Sequence, residues 1–156
     1  MKLYHVAPIP LGAGSVIEPG NFGRLMPTNP AGSFFAHRES IYECIRLKEA
    51  PGKPSRLDSI FLLPTEEDAR TYQAQFDTRG IIYEVELLNK EARKHTSLVN
   101  LVVVSHANTP PIPVSHVEEM ARRYWKYESI EGMGIQAAGA SEVIVASPVR
   151  LVRRIT

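Results

Sequence analysis

The sequence predicts a mixed α+β domain of two packed, mostly antiparallel sheets with flanking helices, and three observations predict it. Its 156 residues are 44% hydrophobic and 22% charged, values that suit one globular domain with one sizeable core. Apolar runs of strand length and segments of helical spacing are intermixed, without the regular βαβ alternation of a Rossmann fold. Proline and glycine clusters separate them at short intervals.

In chain order, Leu3-Tyr4-His5-Val6 reads as a strand stopped by Pro8 and Pro10, which puts His5 near its C-terminal end. Val16-Ile17 precedes the turn-rich Glu18-Pro19-Gly20-Asn21-Phe22-Gly23, and residues 19–33 read as a loop. Residues 38–49 have helical spacing with Ile41, Cys44, Ile45 and Lys48 on one stripe, ended by Pro51-Gly52-Lys53-Pro54. Ser59-Ile60-Phe61-Leu62-Leu63 is of strand length. Thr65-Glu66-Glu67-Asp68 supplies a hydroxyl cap and an acidic first turn, as the positive end of a helix favours. Ala69, Tyr72, Gln73 and Phe76 then share one helical face, so Tyr72 turns toward the body of the protein. Residues 81–87 and 98–104 read as strands. Residues 108–113 carry three prolines and lead rigidly to Ser115-His116-Val117-Glu118, which has capping-box spacing and opens a helix to about Tyr127. Tyr124-Trp125-Lys126-Tyr127 reads as a packing anchor. Gly132, Gly134 and Gly139 loosen the next stretch, and residues 142–146 and 149–152 read as two strands separated by Pro148.

Composition narrows the function classes. The net charge is +1, with both signs interspersed, so no global field gathers nucleic acid or anionic membrane. Cys44 is the only cysteine, which excludes an internal disulfide and a cysteine zinc cluster; it reads as a packed thiol in a helical run, and the compartment of action as reducing. No apolar stretch approaches the ~20 residues of a membrane span, and no secretory leader is legible at Met1-Lys2-Leu3. The expected site of action is cytoplasmic, though a specialised secretion route would leave no mark. There is no GxxxxGK[ST], GxGxxG, GxSxG or HExxH. His5, His37, His95, His106 and His116 share no close ligand spacing, so no metal site is expected.

What remains is a pattern over the whole chain: a histidine ending the first strand, an aromatic strand followed by a capped helix with a tyrosine, and a glutamate opening a late strand. In this the chain resembles the ADP-ribosyltransferase superfamily of the His-Tyr-Glu type, which includes poly(ADP-ribose) polymerases and small rifampicin ADP-ribosyltransferases. Leu3-Tyr4-His5-Val6 with Ile17-Glu18-Pro19-Gly20-Asn21-Phe22-Gly23 is similar to that family's first motif and the loop after it. Ser59-Ile60-Phe61 followed by Ala69-Arg70-Thr71-Tyr72 is similar to the second, and Ser141-Glu142-Val143-Ile144-Val145 to the third. Pro54-Ser55-Arg56 resembles a stretch found before the second motif in one bacterial group of the superfamily. The chain departs in carrying Val6 and Ala7 after the histidine, where glycine is common, and Phe61 where many relatives have tyrosine.

The resemblance implies an ADP-ribosyltransferase-like fold around an NAD-binding cleft, and an enzyme that breaks the nicotinamide–ribose bond of NAD⁺ and transfers ADP-ribose to an acceptor, in the manner of bacterial toxins and effectors. The acceptor is open between protein, nucleic acid and small molecule. Glu142 would be the catalytic carboxylate, since the reaction develops positive charge on the sugar. His5 would hydrogen-bond a ribose hydroxyl, and Tyr72 would stack on the cationic nicotinamide. His5, Val6, Phe61 and Tyr72 would line the NAD⁺ site, with Arg24 and Arg56 meeting the pyrophosphate. Apart from the resemblance, the Tyr124–Tyr127 aromatic cluster, with Glu128 and Glu131 nearby, is a candidate border of the acceptor site. Two alternatives keep the fold: an NAD⁺ glycohydrolase, and a binding module without turnover. Residue by residue, His5 and Tyr72 could instead be packed core side chains, and Glu142 a solvated strand end.

Overall fold

The structure, a computed structural model, describes residues 1–26, 32–103, 113–128 and 139–156, without the side chains of residues 32–35 and 103. It is α+β, with two antiparallel sheets and helices. In chain order the elements are β1 (Leu3–Ala7), β2 (Val16–Ile17), α1 (Asn21–Leu25), α2 (Gly32–Glu49), a single 3₁₀ turn (Arg56–Asp58), β3 (Ile60–Leu62), α3 (Glu66–Phe76), β4 (Ile81–Leu87), β5 (Lys94–Leu98), α4 (Asn100–Val103), α5 (Val114–Lys126), β6 (Ser141–Val145) and β7 (Val149–Arg154).

One sheet has the order β1-β4-β7-β2 and the other β3-β6-β5. Strand alternation explains how they stack. Leu3, Ala7, Tyr83, Val85, Val149 and Leu151 of the first sheet pack with Ile60, Leu62, Val143 and Val145 of the second in one buried cluster. The opposite face of the second sheet, carrying Ile144, packs on a helical layer of Tyr42, Ile45, Leu101, Val102, Val117, Met120, Ala121, Tyr124 and Trp125. Helix α3 closes a third cluster through Ala69, against Tyr4, Leu63, Ile82, Val99 and Ala140.

The edge strands β1 and β3 meet at one antiparallel bridge, Tyr4 to Leu63. Both of its backbone bonds are made: Tyr4 N to Leu63 O at 2.9 Å and Leu63 N to Tyr4 O at 2.8 Å. With β1 and β3 each at the edge of its own sheet, this bridge sets them side by side where the two sheets part.

The expected strands at the chain start, at residues 59–63 and 81–87, and in the final segment are all present, and Thr65 caps α3 by accepting a bond from Asp68 N. Five expectations are corrected. The strand expected over residues 98–104 lies earlier, at Lys94–Leu98, and Asn100–Val103 form α4 instead; residue 104 lies outside the described residues. Its inward residues are the polar His95 and Ser97, both donating to the carbonyl of Tyr124 in the last turn of α5, at 2.8 and 2.9 Å, so the strand lacks an apolar signature. Ser115 lies inside α5, whose N-cap is Pro113 without a side-chain bond, so no capping box forms. The stretch expected as a loop over residues 19–33 contains α1 and the start of α2; the remainder of it, residues 27–31, lies outside the described residues. Among the described side chains of α2 the buried ones are Arg38, Glu39, Tyr42 and Ile45, one step round from the expected stripe. That shift leaves Cys44 exposed rather than packed. Most of the proline-rich segment, Glu131, Gly132, Gly134 and His106 lie outside the described residues.

Among the described residues, no helix is long and apolar enough to cross a membrane. Nor does any group of three or more His, Cys, Asp or Glu there suit a metal ion.

Candidate active site

A cleft of about 320 Å³ opens beside the bridge between β1 and β3. His5 and Val6 line it from β1, Phe61 to Leu63 from β3 and beyond, Tyr72 from α3, Glu142 from β6 and Arg56 from the 3₁₀ turn. Six of the seven residues expected from the sequence therefore share one cavity. The seventh, Arg24, is exposed on α1 and turned back on its own segment, donating to Pro19 O at 3.1 Å and Asn21 Oδ1 at 2.5 Å. It lines neither this cleft nor its neighbour.

His5 donates from Nδ1 to the Phe61 carbonyl at 3.1 Å. A carbonyl only accepts, so Nδ1 carries the proton and Nε2 keeps its lone pair. Burial lowers the imidazole's pKa against the opposing effect of that bond, which favours the neutral ring.

Tyr72 is half-buried, with its ring 5.2 Å from that of Phe76. Burial raises its phenol pKa, with a further push from the negative charge of Glu142. The ring is thus part of the α3 packing face and also a wall of the cleft, so the core and site readings of this residue are compatible.

Glu142 is 5% exposed, which removes the solvated strand-end alternative. β6 pairs with β3 through Phe61–Ile144 and Leu62–Val143, and alternation turns Glu142 to the same face as Ile144, toward the helical layer. There its Oε1 accepts from Arg56 Nη1 at 2.5 Å and from the Tyr124 hydroxyl at 2.6 Å.

Arg56 is buried as well, and its guanidinium is committed to protein groups. Burial alone would lower its pKa, but Glu39, Tyr124 and Glu142 together hold it well above the ordinary arginine value. Nε and Nη1 are engaged in this way, and Arg56 also lines the cleft.

Several lining residues escaped the sequence reading. Phe22 of α1 packs edge-on to Phe61, centroids 5.1 Å apart, and both, with His5, also line a second cavity of about 200 Å³ alongside Ile17, Glu18 and Asn21. Phe22 is placed by the close approach of α1 to the 3₁₀ turn: a Cβ on Gly23 would fall 2.4 Å from the Leu57 carbonyl oxygen, and Gly20 has φ +85°, so both positions demand glycine. Arg38, Val99 and Val102 complete the wall. Adjacent charges at Arg38-Glu39 read naturally as a solvated helix face; their spacing to Tyr42 and Ile45 was the available signal.

Residues 25–155 match the family described as Protein of unknown function (DUF2441), and the chain belongs to that family. No curated protein matches it in sequence.

Proposed function

We propose that the chain is an NAD⁺-dependent mono-ADP-ribosyltransferase of the His-Tyr-Glu type, with an ADP-ribosyltransferase-like fold and the cleft beside the β1–β3 bridge as its NAD⁺ site. The observation that carries the reading is the convergence of His5, Phe61, Tyr72 and Glu142, from four separate elements, on one cavity. Its volume is at the low end of small-molecule sites and suits the nicotinamide riboside half of the dinucleotide, with the remainder extending past Phe22 into the second cavity.

In this reading the cationic nicotinamide stacks on Tyr72, and His5 Nε2 accepts from a ribose hydroxyl. The bond between C1 of the ribose and the nicotinamide nitrogen breaks, its electron pair leaving with nicotinamide, which departs neutral. Positive charge develops on the sugar, and the Glu142 carboxylate stabilises it. A lone pair of the acceptor attacks C1, and the acceptor's proton passes to the carboxylate or to water. The apolar walls from Leu62, Leu63, Val99 and Val102 restrict water around the developing charge.

A second reading, a module that binds NAD⁺ without turning it over, draws on the Arg56–Glu142 pair, since a guanidinium already offsets the charge the reaction would use. Incubating the protein with labelled NAD⁺, with and without a host lysate, separates the readings. Nicotinamide release with label on an acceptor is expected. Release with the label in free ADP-ribose and on no other acceptor identifies water as the acceptor, and binding without release identifies the module.

A further inference from the structure

A guanidinium taken out of water needs acceptors for its five N–H groups. Arg56 finds three of them, one on each of three elements: Nε donates to Glu39 Oε2 of α2 at 3.0 Å, and Nη1 to Glu142 Oε1 of β6 at 2.5 Å and to the Tyr124 hydroxyl of α5 at 2.6 Å. Tyr124 donates its own O–H to the same Glu142 oxygen at 2.6 Å. Glu39 is held in turn by Arg38 Nη2 at 2.9 Å. Arg56, Glu142, Tyr124 and Glu39 are all 5% exposed or less.

The clamp is itself anchored. The Tyr124 carbonyl is fixed by His95 and Ser97, and the Tyr124 ring packs edge-on to those of Tyr42 and Trp125. The Arg56 guanidinium lies 4.7 Å from the Phe61 ring centroid and 4.9 Å from that of Tyr124. Both bonds to Glu142 fall on Oε1. Two donors at one oxygen restrain the rotation of the carboxylate, no hydrogen bond to Oε2 is made among the described residues, and Glu142 lines the cleft.

We propose that Arg56 and Tyr124 are positioning residues: they hold Glu142 by Oε1 so that Oε2 is presented to the ribose, and Glu39 steadies Arg56 from behind. This rests on the reading of the cleft as the site of NAD⁺ cleavage, and it replaces a pyrophosphate contact for Arg56 with an action through Glu142. Tyr124 touches no substrate in this scheme.

The test is Tyr124→Phe, which keeps the ring and its packing and removes one donor; Arg56→Lys is the companion but is expected to fold less well. Nicotinamide release from NAD⁺ is measured for the parent, Tyr124→Phe, Glu142→Gln and the double variant, at a temperature where circular dichroism shows all four folded. Because a misplacement of about 1 Å can cost about a hundredfold, kcat of Tyr124→Phe is expected to fall about tenfold or more, with KM for NAD⁺ within about twofold. In the Glu142→Gln background the same change is expected to cost nothing further, since two residues acting as a unit are not additive. A Tyr124→Phe variant with parental kcat, or with an equal additional loss on top of Glu142→Gln, overturns the positioning role while leaving the transferase reading intact. A parent that releases no nicotinamide overturns both.

Discussion

Asp68 Oδ1 accepts a hydrogen bond from the backbone N–H of Ser141 at 2.8 Å, joining the first turn of the helix that bears Tyr72 to the first residue of the strand that bears Glu142. The other oxygen of the same carboxylate takes the Thr65 hydroxyl at 2.5 Å, and the Asp68 N–H returns a bond to Thr65 Oγ1 at 3.0 Å. Asp68 thus serves a helix cap and a strand entry at once. Asp68→Ala is expected to lower stability by about 1–2 kcal/mol, and to weaken NAD⁺ binding although residue 68 does not line the cleft. Denaturant unfolding and calorimetry report the two effects separately; unchanged affinity would show that the tie does not position the site.

Glu142→Gln tests the proposed chemistry. Were Glu142 a solvated strand end, the substitution would cost under about 0.5 kcal/mol. Buried against Arg56, it is expected to cost about 2–3 kcal/mol, somewhat less than the ~3–5 kcal/mol for deleting one partner of a buried pair, because the amide oxygen still accepts. Nicotinamide release is expected to fall at least about a hundredfold, with NAD⁺ still bound. Near-parental release would remove Glu142 from catalysis.

Tyr72 has two jobs in the structure, and two variants divide them. Tyr72→Phe keeps the ring against Phe76 and should leave both stability and NAD⁺ affinity close to parental. Tyr72→Ala should weaken NAD⁺ binding about five- to thirtyfold, the equivalent of about 1–2 kcal/mol for a desolvated cation–aromatic contact. If Tyr72→Ala melts far lower yet binds NAD⁺ like the parent, the ring is packing alone.

The buried His95 and the half-buried His5 give the fold an acid limit. Burial lowers the pKa of His5 and of His95 from the ordinary 6.5, against carbonyl bonds from Phe61 and Tyr124 that push the other way. The unfolded chain therefore binds more protons than the folded one once the pH drops below about 6.5. Their contribution to stability is complete above that pH and is lost as the pH falls toward the lowered folded values. Urea midpoints measured from pH 7.5 to 5 should decline through this window. A His95→Gln variant should decline less; an equal slope would exclude His95.

The elements that the sequence reveals are those in which burial and hydrophobicity agree. Strand β4 and the helix capped by Thr65 are legible because apolar spacing and cap chemistry point the same way. β5 is not, because His95 and Ser97 are buried for their hydrogen bonds to the Tyr124 carbonyl rather than for their apolar surface. The same holds at the site. His5, Tyr72 and Glu142 stand out as residue types in order along the chain, whereas Glu39 and Tyr124 take part only through partners brought together by the fold. Arg56 was visible in the sequence, but its engagement with two carboxylates was not, since pairing depends on α2, α5 and β6 meeting around one guanidinium. Ser115 misleads for a local reason: Pro113 starts α5 early, leaving its hydroxyl no helix end to cap.

The strand order has a consequence for how the molecule is made. β6 lies between β3 and β5, and β7 between β4 and β2, so the middle strand of the three-stranded sheet and an interior strand of the four-stranded one both come after every other described strand in the chain. During synthesis from the N-terminus, β3, β5 and β2 have no sheet partner among the described strands until residues 141–154 emerge. Pairings so distant in sequence slow folding, and the waiting edges are open to other chains. Cutting the chain before Ser141 should therefore yield aggregates rather than a smaller folded core.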